Sequence, residues 1–207
     1  MPNHPPYLNP ESLVYGEIWP EQRDAPAKNG LVVPPRQIHD AARLATFRDS
    51  RGQPVTRWPE KVLPSTTVII RGPLLKNGAY LLIVHQRSDN GFWGFVGGGM
   101  HPGESIRECA VREAYEETGL AVNLGPLVCI DSAPETGGLN VYGDAVVHYC
   151  NLTFLAQEST GTLRRSPESC ALRWVSHTKL PEPFLPTHRW RWQQAQMIMA
   201  GGKVEVR

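Results

Sequence analysis

Cysteine is scarce and scattered in this chain of 207 residues. The four cysteines form no C-x-x-C pair and follow one another at roughly twenty-residue intervals, at Cys109, Cys129, Cys150 and Cys170. This spacing argues against a structural zinc site, and the chain is too long to depend on a disulfide framework. We therefore expect free thiols and a reducing compartment.

The sequence also has almost no net charge and no long apolar run. Lys and Arg number 21 against 20 Asp and Glu, so the formal net charge is +1. No stretch approaches the roughly 18 apolar residues of a membrane span, and the opening MPNHPPYLNPE lacks the pattern of a signal peptide. We predict a cytoplasmic protein without a nucleic-acid or membrane partner, in which any phosphate chemistry comes from a local site.

Proline is unevenly distributed. Eleven of the 19 prolines fall in residues 1–64, which predicts an irregular N-terminal extension over residues 1–60 and a regular domain over residues 61–207. Apolar clusters at 13–19 and 31–33 need burial, so the extension is expected to dock on the domain or on a second subunit. A monomer and a homodimer both remain open, and the extension should be dispensable for the chemical step.

The regular part alternates β-prone runs with helical patterns. A mixed set of strands, one well-marked helix, further strands and a terminal helix predict an α+β fold, an α/β/α sandwich with a mixed sheet. The predicted strands span 66–70, 80–84, 127–132, 145–155 and 172–175, and the predicted helices span 38–47, 106–118 and 190–199.

The middle helix has clear start and stop signals. Ser105 followed by Glu108 is a capping box, which predicts that the helix begins just after Ser105. Gly119 suits the left-handed residue that follows a helix, which predicts an end near Thr118.

This helix carries three closely spaced glutamates. Glu113, Glu116 and Glu117 stand at i, i+3 and i+4, so they share one helix face and repel one another. A divalent cation would offset the repulsion, and carboxylate oxygens suit Mg²⁺ or Mn²⁺. The alternative is a solvated acidic face, for which Arg107 and Arg112 are the nearby bases.

The stretch around this helix resembles a known motif. Residues 97–120 read GGGMHPGESIRECAVREAYEETGL. The spacing is similar to that of the Nudix box, and every fixed position matches: Gly98-x5-Glu104-x7-Arg112-Glu113-Ala114-x-Glu116-Glu117-x-Gly119-Leu120. A looser resemblance runs from about residue 66 to residue 186.

The resemblance to the Nudix family implies an α/β/α sandwich that hydrolyses a nucleoside diphosphate joined to another group, with Mg²⁺ or Mn²⁺ as cofactor. It also implies roles for particular residues. Glu113 and Glu117 are the implied metal ligands, Glu116 is a ligand or lies close to the metal, Arg112 holds a catalytic carboxylate, Glu104 supports the loop or a metal-bound water, and Gly98 gives a backbone contact near the metal.

The sequence leaves the general base open among several residues. A glutamate of the box could serve, and Asp144 and Glu168 are the acidic residues on later loops that we consider. Trp93, Phe92 and Tyr142 could stack on a nucleobase, and packing in the core or in a loop is the alternative.

Two functions of different class fit these observations. The first is a metal-dependent hydrolase that cleaves the diphosphate link of a small nucleotide-type substrate. The alternative is a Nudix-like module that binds a nucleotide without cleaving it. Three carboxylates favour the enzyme, because a binding module has no need of them, and a plain calcium-binding helix does not explain Gly98 and Glu104. The leaving group stays open.

Overall fold

The computed structural model describes residues 41–207, which form one compact unit. The predictions for residues 1–40, including the apolar clusters at 13–19 and 31–33, lie outside the described residues. The compact unit includes residues 41–60, so it begins before the expected domain start at residue 61. No helix among the described residues is long and apolar enough to span a bilayer.

Eight strands and three α-helices make up the described part of the chain. The strands are β1 (Lys61–Leu74), β2 (Tyr80–Arg87), β3 (Trp93–Gly94), β4 (Leu120–Asp131), β5 (Leu139–Tyr142), β6 (Ala145–Gly161), β7 (Ser169–Ser176) and β8 (Glu205–Val206). The helices are α1 (Ala41–Leu44), α2 (Ile106–Thr118) and α3 (Pro186–Met199), with a short 3₁₀ turn at Pro134–Thr136.

The strands form a mixed sheet, as predicted. Its main path runs β3-β2-β1-β6-β4-β8, with β5 added to β6 and β7 added to β2. The two central strands, β1 and β6, are parallel and pair without interruption from Lys61 with Val147 to Ile70 with Ala156. Strand β1 also pairs with β2 in antiparallel fashion.

Helices cover both faces of the sheet, which confirms the predicted sandwich. Side chains alternate between faces along a strand. In β1, Val68 and Ile70 therefore pack in one core cluster with Ala110 and Ala114 of α2. Ile69 points the other way and packs in a second cluster with residues of α3 such as Trp192.

Helix α2 begins and ends where its sequence predicts. The Ser105 hydroxyl accepts a hydrogen bond from the Glu108 backbone N–H (3.3 Å), and the Glu108 carboxylate accepts one from the Ser105 N–H (2.7 Å). Gly119 takes a left-handed conformation with φ of 73°. Helix α3 begins earlier than the predicted residue 190, because Pro186 occupies its first turn, where a missing N–H costs nothing.

A third, smaller cluster holds residues 47–55, hereafter the 47–55 segment, against the domain. Phe47 and Val55 are buried with Leu139 and Val146. The backbone N–H of Arg48 donates to the Pro134 carbonyl (2.8 Å), and the N–H of Ser50 donates to the Leu139 carbonyl (2.9 Å). Of the helix predicted at 38–47, the described residues show α1 alone.

Candidate active site

A polar cavity of about 770 Å³ opens beside α2. Its walls come from segments that are far apart in the sequence. They include the 47–55 segment, β1, the glycine-rich loop at residues 97–99 (hereafter the glycine-rich loop), α2, the β5 region and the start of α3. The lining residues that matter below are Asp49, Arg51, Thr67, Arg87, Gly98, Arg112, Glu113, Glu116, Tyr142, Tyr149, Glu168 and Arg191.

Arg112 holds three carboxylates of the cavity wall at once. Its Nη1 donates to Glu113 Oε1 (2.7 Å) and to Glu116 Oε2 (3.0 Å). Its Nε and Nη2 donate to the two oxygens of Glu104 (3.0 and 2.7 Å), a bidentate arrangement that also lowers the pKa of Glu104 to about 2. The i, i+3 repulsion of the helix face is thus partly offset by this one guanidinium.

Among the described residues, no arginine or lysine forms an ion pair with Glu117. Its side chain is 5% exposed, Oε2 accepts a hydrogen bond from the Gly97 N–H (2.7 Å), and Oε1 lies 3.5 Å from His85 Nδ1. Burial raises the pKa of Glu117 to about 8, and the negative charge of Glu113 acts in the same direction. Burial lowers the pKa of His85 to about 4, so the imidazole is neutral near pH 7 and supplies no countercharge.

Gly98 lies directly against the Glu113 carboxylate. A Cβ at this position would stand 2.5 Å from Glu113 Oε1, a distance that no side chain can occupy. The Gly98 carbonyl accepts a hydrogen bond from the Thr66 N–H (2.9 Å), which fixes the loop on β1. The absence of a side chain therefore lets the backbone approach the carboxylate closely.

The carboxylates fit a hard cation in chemistry, although they are not gathered around one point. Within residues 41–207, no three His, Cys, Asp or Glu side chains stand close enough together to hold a metal ion. The Glu113 carboxylate is hydrogen-bonded to Arg112, and the Glu117 carboxylate is hydrogen-bonded to the Gly97 N–H. Yet Glu117 is a buried carboxyl group that forms no ion pair with an arginine or lysine among the described residues, and Glu113 is near enough to raise its pKa. The charge of Arg87 acts on the pKa of Glu117 in the opposite direction. A divalent cation is the natural partner for such a pair of carboxyl groups.

Of the two acidic residues predicted outside the box, the structure brings one to the cavity. Glu168 lines the cavity, and its charge contributes to the raised pKa of both Glu113 and Glu117. The Asp144 side chain is fully exposed, does not line the cavity, and lies 3.8 Å from Arg57 Nη2.

The three aromatic candidates differ in whether they line the cavity. Trp93 is 6% exposed in the core cluster that includes α3, with the Arg173 guanidinium 4.3 Å from the centre of its ring, and it does not line the cavity. Phe92 does not line it either. Tyr142 does line it, is 45% exposed, and places its hydroxyl 3.4 Å from that of Tyr149.

Sequence reasoning missed three arginines of the cavity, Arg51, Arg87 and Arg191. Arg87 donates from Nε and Nη2 to the two carboxylate oxygens of Asp89 (2.9 and 2.8 Å), and Arg51 is paired with Asp49 in a similar way. Each pair is separated by one residue. Both pairs lie in turns, closed by hydrogen bonds from the Gly52 N–H to the Asp49 carbonyl and from the Gly91 N–H to the Arg87 carbonyl. The sequence therefore offers only an Asp and an Arg at i and i+2, which a solvated loop would also show.

Comparison with known proteins decides the family. The model of the NUDIX domain matches residues 63–204. The chain belongs to the Nudix family. A MutT-like protein from Streptomyces ambofaciens is 30% identical over 119 residues, which is 58% of this chain and 70% of the relative. A putative 8-oxo-dGTP diphosphatase from Bacillus subtilis (strain 168) is 28% identical over 116 residues, 56% of this chain and 71% of the relative.

The fold agrees with that of a solved Nudix protein. The crystal structure of a MutT NUDIX hydrolase from Burkholderia pseudomallei superposes with a TM-score of 0.52 at 23% identity, over 65% of this chain and 98% of that one. The predicted resemblance is thus confirmed, and the chain is a Nudix-type hydrolase. The match begins at residue 63, so the 47–55 segment lies outside the Nudix domain although it lines the cavity.

Proposed function

We propose that this chain hydrolyses the diphosphate link of a nucleoside diphosphate joined to another group, with Mg²⁺ or Mn²⁺ as cofactor. The observation that carries the proposal is the buried Glu117 carboxyl group, whose pKa is raised by burial and by the Glu113 charge, on the helix that presents Glu113 and Glu116 to a cavity with arginines. Such a cavity can hold a cation and a polyanion together. The Nudix relatives support the reaction type.

The metal would be held by oxygen atoms of four residues: the carboxylates of Glu113 and Glu117, with Glu116 and the Gly98 carbonyl beside them. When bound, Mg²⁺ or Mn²⁺ neutralises phosphate charge and lowers the pKa of a coordinated water. Arg112 must release Glu113 in part for this to happen, while its bidentate bond to Glu104 keeps the guanidinium at the end of the loop.

The remaining work falls to side chains of the cavity. Arg87 is held by Asp89 and presents its charge to the cavity, where it would orient the phosphates. Glu168 stands near both metal-binding glutamates and is our candidate for the base that accepts a proton from the attacking water, with Glu116 as the candidate within the box. The Tyr142 and Tyr149 rings would contact the nucleoside.

A substrate panel tests the proposal. Nucleoside triphosphates, ADP-ribose, nucleotide sugars and dinucleoside polyphosphates are incubated with the enzyme and Mg²⁺ or Mn²⁺, and released phosphate, pyrophosphate and nucleoside monophosphate are measured. We expect turnover of at least one class, complete loss with excess chelator, and recovery on adding either metal. Full activity in chelator would contradict metal dependence. Tight binding of a nucleotide without product from any class would instead support the binding module.

A further inference from the structure

We propose that Arg51, which precedes the Nudix domain, determines substrate specificity by binding an anionic oxygen group, phosphate or carboxylate, on the part of the substrate beyond the scissile diphosphate. Asp49 positions this arginine. The inference rests on the proposed function, because it names a group of the substrate for the same cavity.

The 47–55 segment is firmly attached to the domain at this place. Phe47 and Val55 are buried, and backbone hydrogen bonds join the segment to residues 134 and 139. Gly137 stands between the segment and α3, since a Cβ there would lie 2.4 Å from Thr187 Cγ2 and 3.1 Å from the Asp49 carbonyl. Arg51 therefore reaches the cavity from an anchored backbone and not from a free tail.

Asp49 fixes the direction of Arg51. The Asp49 side chain is 3% exposed and accepts four hydrogen bonds. Its Oδ1 accepts from the backbone N–H groups of Arg51 (2.9 Å) and Gln53 (2.8 Å), and its Oδ2 accepts from Arg51 Nε (2.8 Å) and Nη2 (2.6 Å). One edge of the guanidinium is thereby held, and the side chain cannot swing freely.

The other edge of this guanidinium is available to a ligand. The Arg51 side chain is 38% exposed and lines the cavity, and its Nη1 forms no hydrogen bond within residues 41–207. Arg87 is held by Asp89 in a similar way and is assigned above to the phosphates, whereas two other cations of the cavity differ. Arg112 is bound to the α2 carboxylates, and Arg191 is buried against Thr67 and Asp131. A planar guanidinium with open donors prefers phosphate or carboxylate oxygens.

The location of Arg51 points to a group remote from the metal-binding carboxylates. Helix α2 and helix α3 pack on opposite faces of the sheet. The 47–55 segment meets the cavity at the turn before β5 and at the start of α3, whereas Glu113 meets it at the glycine-rich loop. No hydrogen bond or ion pair joins Arg51 to a carboxylate of α2, and the two meet the cavity on different elements. We therefore place Arg51 against the part of the substrate that follows the diphosphate.

Steady-state kinetics with the best substrate of the panel tests the assignment. Arg51→Gln should raise KM about 10-fold or more while kcat stays within about 2-fold, and Arg51→Lys should recover part of the loss. Arg43→Gln is the matched control, because Arg43 is an exposed arginine of the same region that does not line the cavity. An unchanged KM in Arg51→Gln would overturn the proposal.

A purely structural role of the ion pair makes a different prediction. If Arg51 only braces its turn, Arg51→Gln should lower Tm and leave KM unchanged. Asp49→Asn separates the roles further, because it keeps an oxygen for the backbone N–H groups but weakens the hold on the guanidinium. We expect a KM increase smaller than that of Arg51→Gln; a fall in Tm with wild-type KM in both variants would overturn the inference.

A binding measurement makes the test independent of turnover. Inorganic phosphate is added to the full-length, metal-free protein, and Tm is followed for wild type, Arg51→Gln and Arg43→Gln. We expect Tm to rise in wild type and in the control, and to rise less in Arg51→Gln, which keeps only the other arginines of the cavity. Equal rises in all three would overturn the proposal. A protein that hydrolyses nothing could still pass this test, so the two failures are distinguishable.

The source of the anion is separated by inhibition kinetics. If Arg51 binds a group of the substrate, inorganic phosphate should inhibit competitively, and Arg51→Gln should weaken that competition. Inhibition that lowers kcat without changing KM, and that Arg51→Gln abolishes, would mean that the site takes a separate phosphate ion and would overturn the assignment to the substrate.

Discussion

Two walls of the cavity, α2 and the 47–55 segment, are built by opposite means. Helix α2 and the glycine-rich loop before it are continuous in sequence, and their carboxylates are placed by helical spacing and a capping box. The 47–55 segment has almost no regular structure, and contacts with residues 134 and 139 place Asp49 and Arg51. The wall to which we assign the chemistry is thus placed by local sequence, and the wall to which we assign the rest of the substrate is placed by tertiary contacts.

The two walls should therefore tolerate amino-acid substitutions to different degrees. A shift of one residue within α2 would move every glutamate off its face, so the motif tolerates little variation. The 47–55 segment could carry another side chain at position 51 with its anchors intact. We therefore expect changes in α2 to act on kcat and changes in the segment to act on KM.

The largest effect should follow removal of a metal-binding charge. Glu113→Gln and Glu117→Gln should each lower kcat on the order of 10²-fold or more, because each takes a negative oxygen from the metal site. Circular dichroism should stay unchanged, since Gln has a similar helix propensity. The control is Glu108→Gln on the same helix, which keeps the capping box. Wild-type kcat in both variants would contradict the assignment of these two glutamates to the metal.

A second experiment compares the two acidic residues on later loops. Glu168→Gln should lower kcat about 10²-fold if its carboxylate is the base, whereas Asp144→Asn should stay within about 2-fold because its side chain points into solvent. Both are measured at saturating substrate and metal. If both variants keep near-wild-type kcat, a glutamate of the box or another acid must serve as the base.

The pH dependence of metal binding gives a smaller effect. The pKa of Glu117 is about 8 in the folded, metal-free protein and 4.5 in an unperturbed glutamate, so the folded state holds a proton over this range. Its contribution to stability is present below pH 4.5 and is lost as pH rises toward 8. A metal must displace this proton, so the Kd of Mn²⁺ should fall about 10-fold between pH 6.5 and 7.5.

Titration calorimetry of wild type and Glu117→Gln checks this dependence. The variant has no carboxylate at that position, so its Kd should be weaker at every pH and should vary much less. His85 does not confound the range, because its lowered pKa of about 4 leaves the imidazole neutral above pH 6. An equal slope in both proteins would assign the proton to another group.

The smallest effect concerns the anchoring of the 47–55 segment. Phe47 is 2% exposed, and its ring packs edge-on to Trp58 at 5.1 Å between centroids. Phe47→Leu should cost about 1 kcal/mol of unfolding free energy, and the loosened segment should raise KM about 3-fold with little change in kcat. A change confined to kcat would mean that the segment positions the catalytic groups as well.

The sequence was sufficient for α2 because that helix depends on neighbours in the chain. Ser105, Glu108 and Gly119 set its ends, and the strands of the central sheet follow from β-branched runs such as 66–70. Tertiary pairing decides the rest. Trp93 reads like a stacking residue beside glycines, yet pairing of β3 with β2 buries it in the core. Arg51 offers only a charge at i+2 from Asp49, which a solvated loop would show equally.

The parallel pairing of β1 with β6 affects the order in which the molecule can assemble. Ser65 bonds to Asn151, 86 positions further along the chain, whereas β1 and β2 are joined by a short turn. During synthesis the β1–β2 hairpin can form early. Strand β1 can pair on its other edge only after β6 has been made. Such distant pairing slows folding, so we expect this late step to limit how fast newly made protein becomes active.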